Sequence, residues 1–237
     1  SGRRWQAGMI PSPRAVLFDL DGTLADTIED LGGAFNRVLE SHGYPVFPVE
    51  RYKTMVGNGF LALTRRAIPP EAAADDTLVE RINAEAEELY SEHFLDLTRP
   101  FPGIPELLTA LSGRGILLAV LSNKPDRMVK RIVRSLFPER DFFVTEGNKP
   151  SMPHKPDPTA ALSIVAHSGI PSSEWCFVGD SGVDMKTGLA AGMLPLGAVW
   201  GYRSREEMTA GGAAALLEAP LDLLRYFDSP GSFVPRR

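Results

Sequence analysis

Three short apolar runs, at residues 15–18, 116–121 and 176–178, are the strongest candidate strands in the chain. Each run is apolar throughout rather than alternating, which is typical of parallel strands buried on both faces. A polar side chain follows each run, namely Asp19, Ser122 and, after one glycine, Asp180. Residues 142–145 and 196–200 are weaker strand candidates. The carboxyl ends of parallel strands meet at one edge of a sheet, so these polar side chains are expected to lie together.

Helical patterns separate these runs. One predicted helix begins near Pro105, another near Asp126, where the carboxylate is a candidate cap, and a third near Asp157. Alternation of strands and helices along a chain is typical of a parallel sheet covered by helices on both faces. The sequence therefore predicts an α/β fold with a doubly wound parallel sheet.

The interval from residue 25 to residue 98 breaks this alternation. It contains helical periodicity, for example at Ile28, Leu31 and Phe35, and no convincing strand. We therefore predict a small all-helical domain at residues 25–98, inserted just after the first strand. The remaining core is then discontinuous and comprises residues 14–24 and 99–237, with a neck near residues 24–27 and 99–102.

Composition narrows the class of protein. Of the 237 residues, 43% are hydrophobic and 23% are charged, as is usual for a globular protein with its own core. A net charge of -5 offers no basic surface for nucleic acid. No apolar run approaches the ~20 residues of a membrane span, and residues 1–12 lack the apolar centre of a signal peptide. A single cysteine, Cys176, excludes an intrachain disulfide, and together these features favour the cytoplasm.

Four polar motifs follow one another along the chain. They are Asp-Leu-Asp-Gly-Thr at 19–23, Ser-Asn-Lys at 122–124, His-Lys-Pro-Asp-Pro at 154–158 and Gly-Asp-Ser-Gly-Val-Asp at 179–184. Taken alone, each has an ordinary explanation as a turn, a helix cap or a solvated surface charge. Their occurrence in this order, at strand ends and with a helical insertion after the first, indicates a single site instead.

This set of motifs resembles that of the haloacid dehalogenase-like hydrolase superfamily, and within it the phosphatases that carry a helical cap after the first motif. The resemblance extends from about residue 14 to residue 228. It is greatest for the phosphoglycolate phosphatase-like members, because of Val-Gly-Asn-Gly at 56–59, Ser-Asn-Lys-Pro at 122–125 and Trp-Gly-Tyr at 200–202. Arg203 departs from this pattern, since many relatives have glycine after the tyrosine. The resemblance implies a Rossmann-like catalytic core with a helical cap.

The resemblance also implies roles for individual residues. Asp19 is expected to be the nucleophile that forms an aspartyl-phosphate, and Asp21 the acid that protonates the leaving oxygen and then helps to activate water. Ser122 and Lys155 are expected to bind the phosphoryl oxygens. The other expected phosphate-binding residues are Gly22, Thr23 and Asn123.

A metal ion is expected at the same place. Two like charges about 4 Å apart repel by about 4 kcal/mol at an effective dielectric constant near 20, so crowded aspartates require a cation. Ligands that are all oxygen atoms suit Mg²⁺. The resemblance makes the carboxylates of Asp19 and Asp180 and the backbone carbonyl of Asp21 direct ligands. Asp184 would hold a metal-bound water or orient Lys155.

The expected reaction is Mg²⁺-dependent hydrolysis of a small phosphorylated metabolite, with 2-phosphoglycolate as the first candidate. Lys53, Arg65 and Arg66 are candidate partners for a substrate carboxylate, against the alternative that they lie on a solvated helix face. A β-phosphoglucomutase-like transfer to a sugar, pyrophosphate hydrolysis and a binding protein without activity remain alternatives. Dehalogenation is not expected, because Asp21 supplies an acid that haloacid chemistry does not need. The oligomeric state is left open.

Overall fold

Residues 13–228 are described by a computed structural model, and this part of the chain contains eight strands. The strands are β1 (Ala15–Phe18), β2 (Ala25–Asp26), β3 (Arg99–Pro100), β4 (Leu117–Pro125), β5 (Val144–Asn148), β6 (Trp175–Gly179), β7 (Leu194–Ala198) and β8 (Ala215–Leu217). Six of them form one sheet in the order β5-β4-β1-β6-β7-β8, and every neighbouring pair in it is parallel. Helices flank this sheet, so the predicted α/β fold with a doubly wound, Rossmann-like parallel sheet is confirmed.

The same part of the chain contains eleven α-helices. They are α1 (Ile28–Ser41), α2 (Val49–Tyr52), α3 (Phe60–Ala67), α4 (Pro70–Ala73), α5 (Asp76–His93), α6 (Ile104–Gly113), α7 (Asp126–Leu136), α8 (Thr159–Ser168), α9 (Gly182–Ala190), α10 (Arg205–Gly211) and α11 (Arg225–Asp228). Short 3₁₀ turns occupy Ser172–Glu174 and Pro220–Leu224.

The central strand β1 is buried on both faces, which explains its unbroken apolar sequence. Val16 and Phe18 belong to an apolar cluster shared with α1, α6 and α7. Ala15 and Leu17 face the opposite way, into a second cluster that contains Trp175 and residues of α8. Alternate side chains of one strand therefore tie together the two helical layers.

The order of the strands places a crevice at the carboxyl end of β1. From β1 the chain proceeds outward on one side through β4 and β5, and then returns to the other side of β1 for β6, β7 and β8. Such a reversal is the position at which parallel α/β sheets bind ligands. Asp19, Ser122 and Asp180 lie at this edge, in or directly after β1, β4 and β6.

The helices α1 to α5 form the insertion that follows β1. Antiparallel pairing of β2 with β3 joins its two ends, with Ala25 opposite Pro100. Apolar side chains of the insertion, including Phe35, Tyr52 and Tyr90, belong to the same cluster as Phe18 of the sheet. The role of this insertion as a cap, and the division at residues 25–98, 14–24 and 99–237, stay predictions.

Several predicted element boundaries are wrong. Strand β4 runs to Pro125 instead of ending at 121, with an irregular register between Leu121 and Pro125. The candidates at 142–145 and 196–200 are shifted to Val144–Asn148 and Leu194–Ala198. The pair β2–β3 and strand β8 were missed, because strands of two or three residues carry no periodic pattern and depend on long-range pairing. Asp126 is the first residue of α7 rather than its cap.

No helix within residues 13–228 is both long and apolar enough to span a membrane. Location in the cytoplasm stays a prediction. The polar segment at residues 1–12 lies outside the described residues.

Asp30 provides a test of how the insertion is attached. This buried carboxylate on α1 accepts hydrogen bonds from the backbone N–H groups of Leu97 and Thr98 and from the Thr98 hydroxyl, at 2.8 to 3.0 Å. We expect Asp30→Ala to lower the free energy of unfolding by about 2–3 kcal/mol, because it leaves buried donors without partners. Urea denaturation measures the change.

The matched control is Asp96→Ala, since the Asp96 side chain is 63% exposed and pairs with His93 at the surface. We expect this variant to stay within about 0.5 kcal/mol of the parent protein. Equal stabilities of the two variants would contradict a structural role for Asp30.

Candidate active site

Lys155 lies between two carboxylates at the carboxyl edge of the sheet. Its Nζ donates to Oδ1 of Asp19 at 2.9 Å, to Oδ1 of Asp184 at 2.6 Å and to the carbonyl oxygen of Leu121 at 3.1 Å. All three charged side chains are buried. The third and fourth sequence motifs therefore meet the first in one buried cluster.

Asn123 fixes the loop that carries Lys155. Its Oδ1 accepts from the Lys155 backbone N–H at 2.8 Å, and its Nδ2 donates to the Lys155 carbonyl at 3.0 Å. The same Nδ2 donates to the carbonyl of Gly57, which precedes α3 in the insertion, at 2.9 Å. A single side chain at the end of β4 thus connects the Lys155 loop with the insertion.

Asp184 is fixed by the start of α9. The Ser181 hydroxyl and backbone N–H donate to Oδ2 of Asp184 at 2.7 and 3.2 Å, in a capping box. Because Oδ1 already accepts from Lys155, both carboxylate oxygens have donors. Asp184 is therefore arranged to orient Lys155.

Asp180 is enclosed by two glycines. Its Oδ2 accepts from the backbone N–H of Tyr202 at 2.7 Å. A Cβ atom at Gly22 would lie 2.2 Å from Oδ2 of Asp180, and one at Gly201 would lie 2.2 Å from its Cβ. Gly22 also has a φ of +80°, which L-residues with side chains rarely adopt. Glycine at both positions is thus required by the close approach to Asp180.

Tyr202 links this loop to the neck of the insertion. Its hydroxyl donates to Oδ1 of Asp26 at 2.8 Å and accepts from the Thr27 backbone N–H at 2.8 Å. Trp200 adds a hydrogen bond from Nε1 to the Thr23 carbonyl at 2.9 Å. The Trp-Gly-Tyr segment therefore joins β2 to the loop that holds Asp180.

Burial and neighbouring charges raise the pKa values of Asp19 and Asp180. Burial, followed by the charge of Asp184, raises the pKa of Asp19 to about 7, although Lys155 acts in the opposite direction. Burial, together with Asp19 and Asp184, raises the pKa of Asp180 well above its usual range. Burial lowers the pKa of Lys155, but the charges of Asp184 and Asp19 outweigh burial and raise it. Lys155 is therefore a permanent cation here.

These shifts identify a surplus of buried negative charge. A raised carboxyl pKa means that the folded protein binds the proton more tightly than the unfolded chain does. Without a cation, ionising Asp19 therefore lowers stability as the pH rises from the usual value of 3.8 towards about 7. The three carboxylates lie together with one ammonium group, that of Lys155, which contacts two of them, Asp19 and Asp184. A bound cation would relieve the imbalance.

A metal ion fits this cluster. Asp19, Asp180 and Asp184 each offer a carboxylate oxygen, and these three atoms lie within 4.8 Å of one another. Several carboxylate oxygens in one place suit a hard cation such as Mg²⁺. The carboxylate of Asp21, the fourth predicted ligand, is not part of this group, and a metal contact through the Asp21 backbone carbonyl stays a prediction.

The carboxylate of Asp21 has different partners. Its Oδ1 accepts from Nζ of Lys124 and from the Thr27 hydroxyl, both at 2.5 Å. Nζ of Lys124 also donates to the hydroxyl of Tyr90 on α5 at 2.8 Å, and Lys124 is 4% exposed. Asp21 is thus held by a buried lysine that itself contacts the insertion.

Sequence analysis missed the roles of Lys124 and Tyr90. Lys124 belonged to a recognised motif, but a lysine after a strand is ordinarily taken as a surface charge. Tyr90 lies 34 residues earlier in a helix whose periodicity indicates only a buried face. No local signal predicts that these two side chains meet.

The site opens into a small cavity between the sheet edge and the insertion. Its volume is about 40 Å³, enough for a few water molecules. The sheet edge and adjoining loops contribute polar groups, whereas Leu31, Val56, Phe60 and Leu63 of the insertion contribute an apolar wall. The polar lining residues are Asp19, Asp21, Ser122, Asn123, Lys124, Asp180, Ser181, Tyr202 and Arg203.

Three candidate residues from the insertion lie outside this lining. Arg65 donates to the Ala73 carbonyl and to Asp76, and Arg66 donates to the Met55 carbonyl and to Asn58. Lys53 pairs with Glu50 at 2.7 Å.

Gly22 and Thr23 are also outside the lining. Gly22 packs against Asp180, and Thr23 is fully buried with no hydrogen-bond partner for its hydroxyl among the described residues. Ser122 and Asn123 line the cavity. Lys155 is outside the lining, but its Nζ donates to Asp19, which lines the cavity.

Comparison with known proteins agrees with this arrangement. The sequence model of a family described as haloacid dehalogenase-like hydrolase matches residues 16–198. This match spans β1 to β7 and includes all four motifs. The chain belongs to the haloacid dehalogenase-like hydrolase family.

Two curated relatives and one solved structure are similar to this chain over most of its length. A phosphoglycolate phosphatase from Pseudomonas fluorescens (strain Pf0-1) is 37% identical over 194 residues, covering 80% of this chain and 71% of that protein. An N-acetylmuramic acid 6-phosphate phosphatase from Pseudomonas aeruginosa is 33% identical, covering 91% of this chain and 95% of that protein. The crystal structure of a suggested phosphoglycolate phosphatase from Lactobacillus delbrueckii subsp. bulgaricus has a TM-score of 0.83 at 30% identity, covering 91% and 98%. The chain is accordingly a phosphatase.

Proposed function

We propose that this phosphatase hydrolyses a small phosphate ester through an aspartyl-phosphate on Asp19, with a bound Mg²⁺ ion. The observation that carries the proposal is the cluster in which Asp19 contacts Lys155 and lies within 4.8 Å of oxygens from Asp180 and Asp184. A carboxylate beside a permanent ammonium group, at the floor of a cavity, can receive a phosphoryl group where its charge is balanced.

In the first step, a carboxylate oxygen of Asp19 attacks phosphorus, and the bond from phosphorus to the ester oxygen breaks. Asp21 donates a proton to that leaving oxygen, so that a neutral alcohol departs. Ser122 and the permanent charge of Lys155 attract the phosphoryl oxygens. Mg²⁺, held by Asp19 and Asp180, would supply further positive charge to the phosphoryl group.

In the second step, water attacks phosphorus and the Asp19–phosphorus bond breaks. Asp21, now ionised, accepts a proton from that water, and inorganic phosphate is released. Both steps need Asp21 in a fixed position, which supports a positioning role for Lys124 and Thr27 on its Oδ1. The apolar wall of the insertion would exclude bulk water, as a cap does.

The first candidate substrate is 2-phosphoglycolate, which the name of the Pseudomonas fluorescens relative supports. N-Acetylmuramic acid 6-phosphate is the second, because the relative with that name is covered over 95% of its length. Both compounds are phosphate esters that carry a carboxylate. The mutase and pyrophosphatase alternatives have less support, since the sequence relatives named above are phosphatases.

Phosphate release tests the proposed function. We expect Mg²⁺-dependent release from 2-phosphoglycolate, in preference to glucose 6-phosphate, nucleotides and pyrophosphate, and loss of release in EDTA. Asp19→Asn is expected to fold and to lower kcat at least about a thousandfold, because the amide is not a nucleophile.

Asp76→Asn is the matched control, since the Asp76 side chain is 80% exposed and pairs with Arg65 away from the cavity. Its kcat should equal that of the parent protein. Retained turnover in Asp19→Asn would exclude Asp19 as the nucleophile. Conversion of β-glucose 1-phosphate to glucose 6-phosphate without phosphate release would favour a mutase.

Lys124→Met tests the positioning of Asp21. Methionine keeps most of the buried volume and removes the ammonium group, so we expect kcat to fall about ten- to a hundredfold while KM changes less. Steady-state kinetics and circular dichroism, at a temperature where the variant is folded, separate this effect from unfolding.

The control for this lysine is Lys130→Met, because Lys130 is 47% exposed and pairs with Asp126 on α7. It should leave both parameters unchanged. A Lys124→Met variant with the kcat of the parent protein would show that Asp21 does not depend on Lys124.

A further inference from the structure

Arg203 lies at the boundary between the sheet and the insertion. It follows the Trp-Gly-Tyr segment and lines the cavity, with 17% of its side chain exposed. Its Nη2 donates to the Val56 carbonyl of the insertion at 2.7 Å.

The cavity lining contains two cationic side chains, Lys124 and Arg203. Lys124 is committed to Asp21, whose carboxylate lies 2.5 Å from its Nζ. The acidic partner of Arg203 is Glu207, at 3.5 Å, and the Glu207 side chain is 40% exposed. A long and solvated ion pair contributes little, so Arg203 keeps most of its positive charge available to the cavity.

Hydrogen-bonding capacity leads to the same conclusion. A guanidinium group has five N–H donors in a planar fork that matches a carboxylate. Arg203 directs one donor firmly to Val56 and one loosely to Glu207. The remaining donors are sufficient for a bidentate contact with an anion.

The guanidinium lines the cavity, where an anion can reach it. Gly57 places no side chain against the group, and even a Cβ atom there would lie 3.9 Å from Nη2 of Arg203, at an ordinary van der Waals distance. The residue before Arg203, Tyr202, donates its backbone N–H to Asp180 at 2.7 Å, and Arg203 and Asp180 both line the cavity. Arg203 therefore lies in the same cavity as the groups proposed to act on the phosphate.

We propose that Arg203 binds the carboxylate of the substrate and thereby selects phosphate esters of carboxylic acids. This inference rests on the proposed function and adds the residue that recognises the end of the substrate opposite the phosphate. The bond to Val56 holds the guanidinium in place only while the insertion contacts the sheet edge. Recognition of the carboxylate therefore depends on the contact between the insertion and the sheet edge.

Arg65 and Arg66 are less suited to this role. Each donates to a backbone carbonyl and to a side chain of the insertion itself, and neither lines the cavity. Arg203 makes as many hydrogen bonds as each of these residues, but it lines the cavity and would therefore meet a substrate bound there.

Matched pairs of substrates test the proposal. 2-Phosphoglycolate is compared with 2-hydroxyethyl phosphate, which has a hydroxymethyl group in place of the carboxylate. N-Acetylmuramic acid 6-phosphate is compared with N-acetylglucosamine 6-phosphate, which lacks the lactyl group that carries the carboxylate. The readout is the ratio of kcat/KM for the acid to that for the neutral ester. We expect Arg203→Gln to lower this ratio at least about tenfold, since a charge-assisted contact is lost.

Arg205→Gln is the control. Arg205 is two residues away, with 49% of its side chain exposed and paired with Glu218, and its removal should preserve the ratio. Arg203→Lys should retain part of the preference, because charge remains while the fork is lost.

The outcomes separate this inference from the proposed function. A parent protein that prefers the acid, together with Arg203→Gln that keeps the same ratio, would overturn the role of Arg203 alone. If Arg66→Gln loses the preference for the acid instead, the substrate carboxylate binds to the insertion, and the proposed role of Arg203 is wrong. The parent protein could instead prefer N-acetylmuramic acid 6-phosphate, with Arg203→Gln abolishing that preference. This result would exclude 2-phosphoglycolate as the first candidate substrate and support the role of Arg203.

Discussion

The ammonium group of Lys155 holds together the buried carboxylates of Asp19 and Asp184, and the arrangement of the site depends on it. These three groups come from separate parts of the chain, so their charges can balance only after the sheet has formed. Removing one partner from a buried ion pair typically costs about 3–5 kcal/mol, because the other charge is left uncompensated. The surrounding loops are accordingly fixed by side chains such as Asn123 and Ser181 rather than left to solvent.

The buried carboxylates still outnumber the ammonium group, and this surplus of negative charge determines which ligands the site attracts. A site with surplus negative charge attracts a cation and repels an anionic substrate until that cation is bound. In the proposed mechanism, the substrate phosphate is therefore drawn to Lys155 and Mg²⁺ together. Arg203 would add a second positive group to the cavity, so that a substrate with two anionic groups matches the site better than one with a single anionic group.

Besides the contacts at its neck, such as those of Asp26 and Thr27, the insertion makes three hydrogen bonds with the sheet edge among the described residues. Asn123 donates to the Gly57 carbonyl, Lys124 donates to Tyr90, and Arg203 donates to the Val56 carbonyl. Movement of the insertion would thus disturb the Lys155 loop, the support of Asp21 and the proposed carboxylate site together. In the proposed mechanism, such coupling would make the position of the insertion a condition for catalysis, beyond its covering the site.

Much of this could be predicted from the sequence, for physical reasons. Strands buried on both faces must be apolar throughout, which made β1, β4 and β6 visible, and the site residues follow them directly. Asp19, Lys155, Asp180 and Asp184 were predicted because of their motifs. Lys124 and Arg203 were not predicted as site residues, because their importance depends on partners such as Tyr90 and Val56 that only tertiary folding brings near. The candidates Arg65 and Arg66 were chosen for charge alone, and local partners occupy both.

Calorimetric titration with Mg²⁺ at pH 6 and pH 8 tests the central claim, that surplus buried carboxylate charge creates the cation site. Because the pKa of Asp19 in the cation-free protein is raised to about 7, binding at pH 6 must displace a proton, whereas at pH 8 the carboxylate is already ionised. We expect tighter binding at pH 8, proton release at pH 6, and loss of binding in Asp180→Asn. Equal affinity at both pH values, or unchanged binding in Asp180→Asn, would contradict this account.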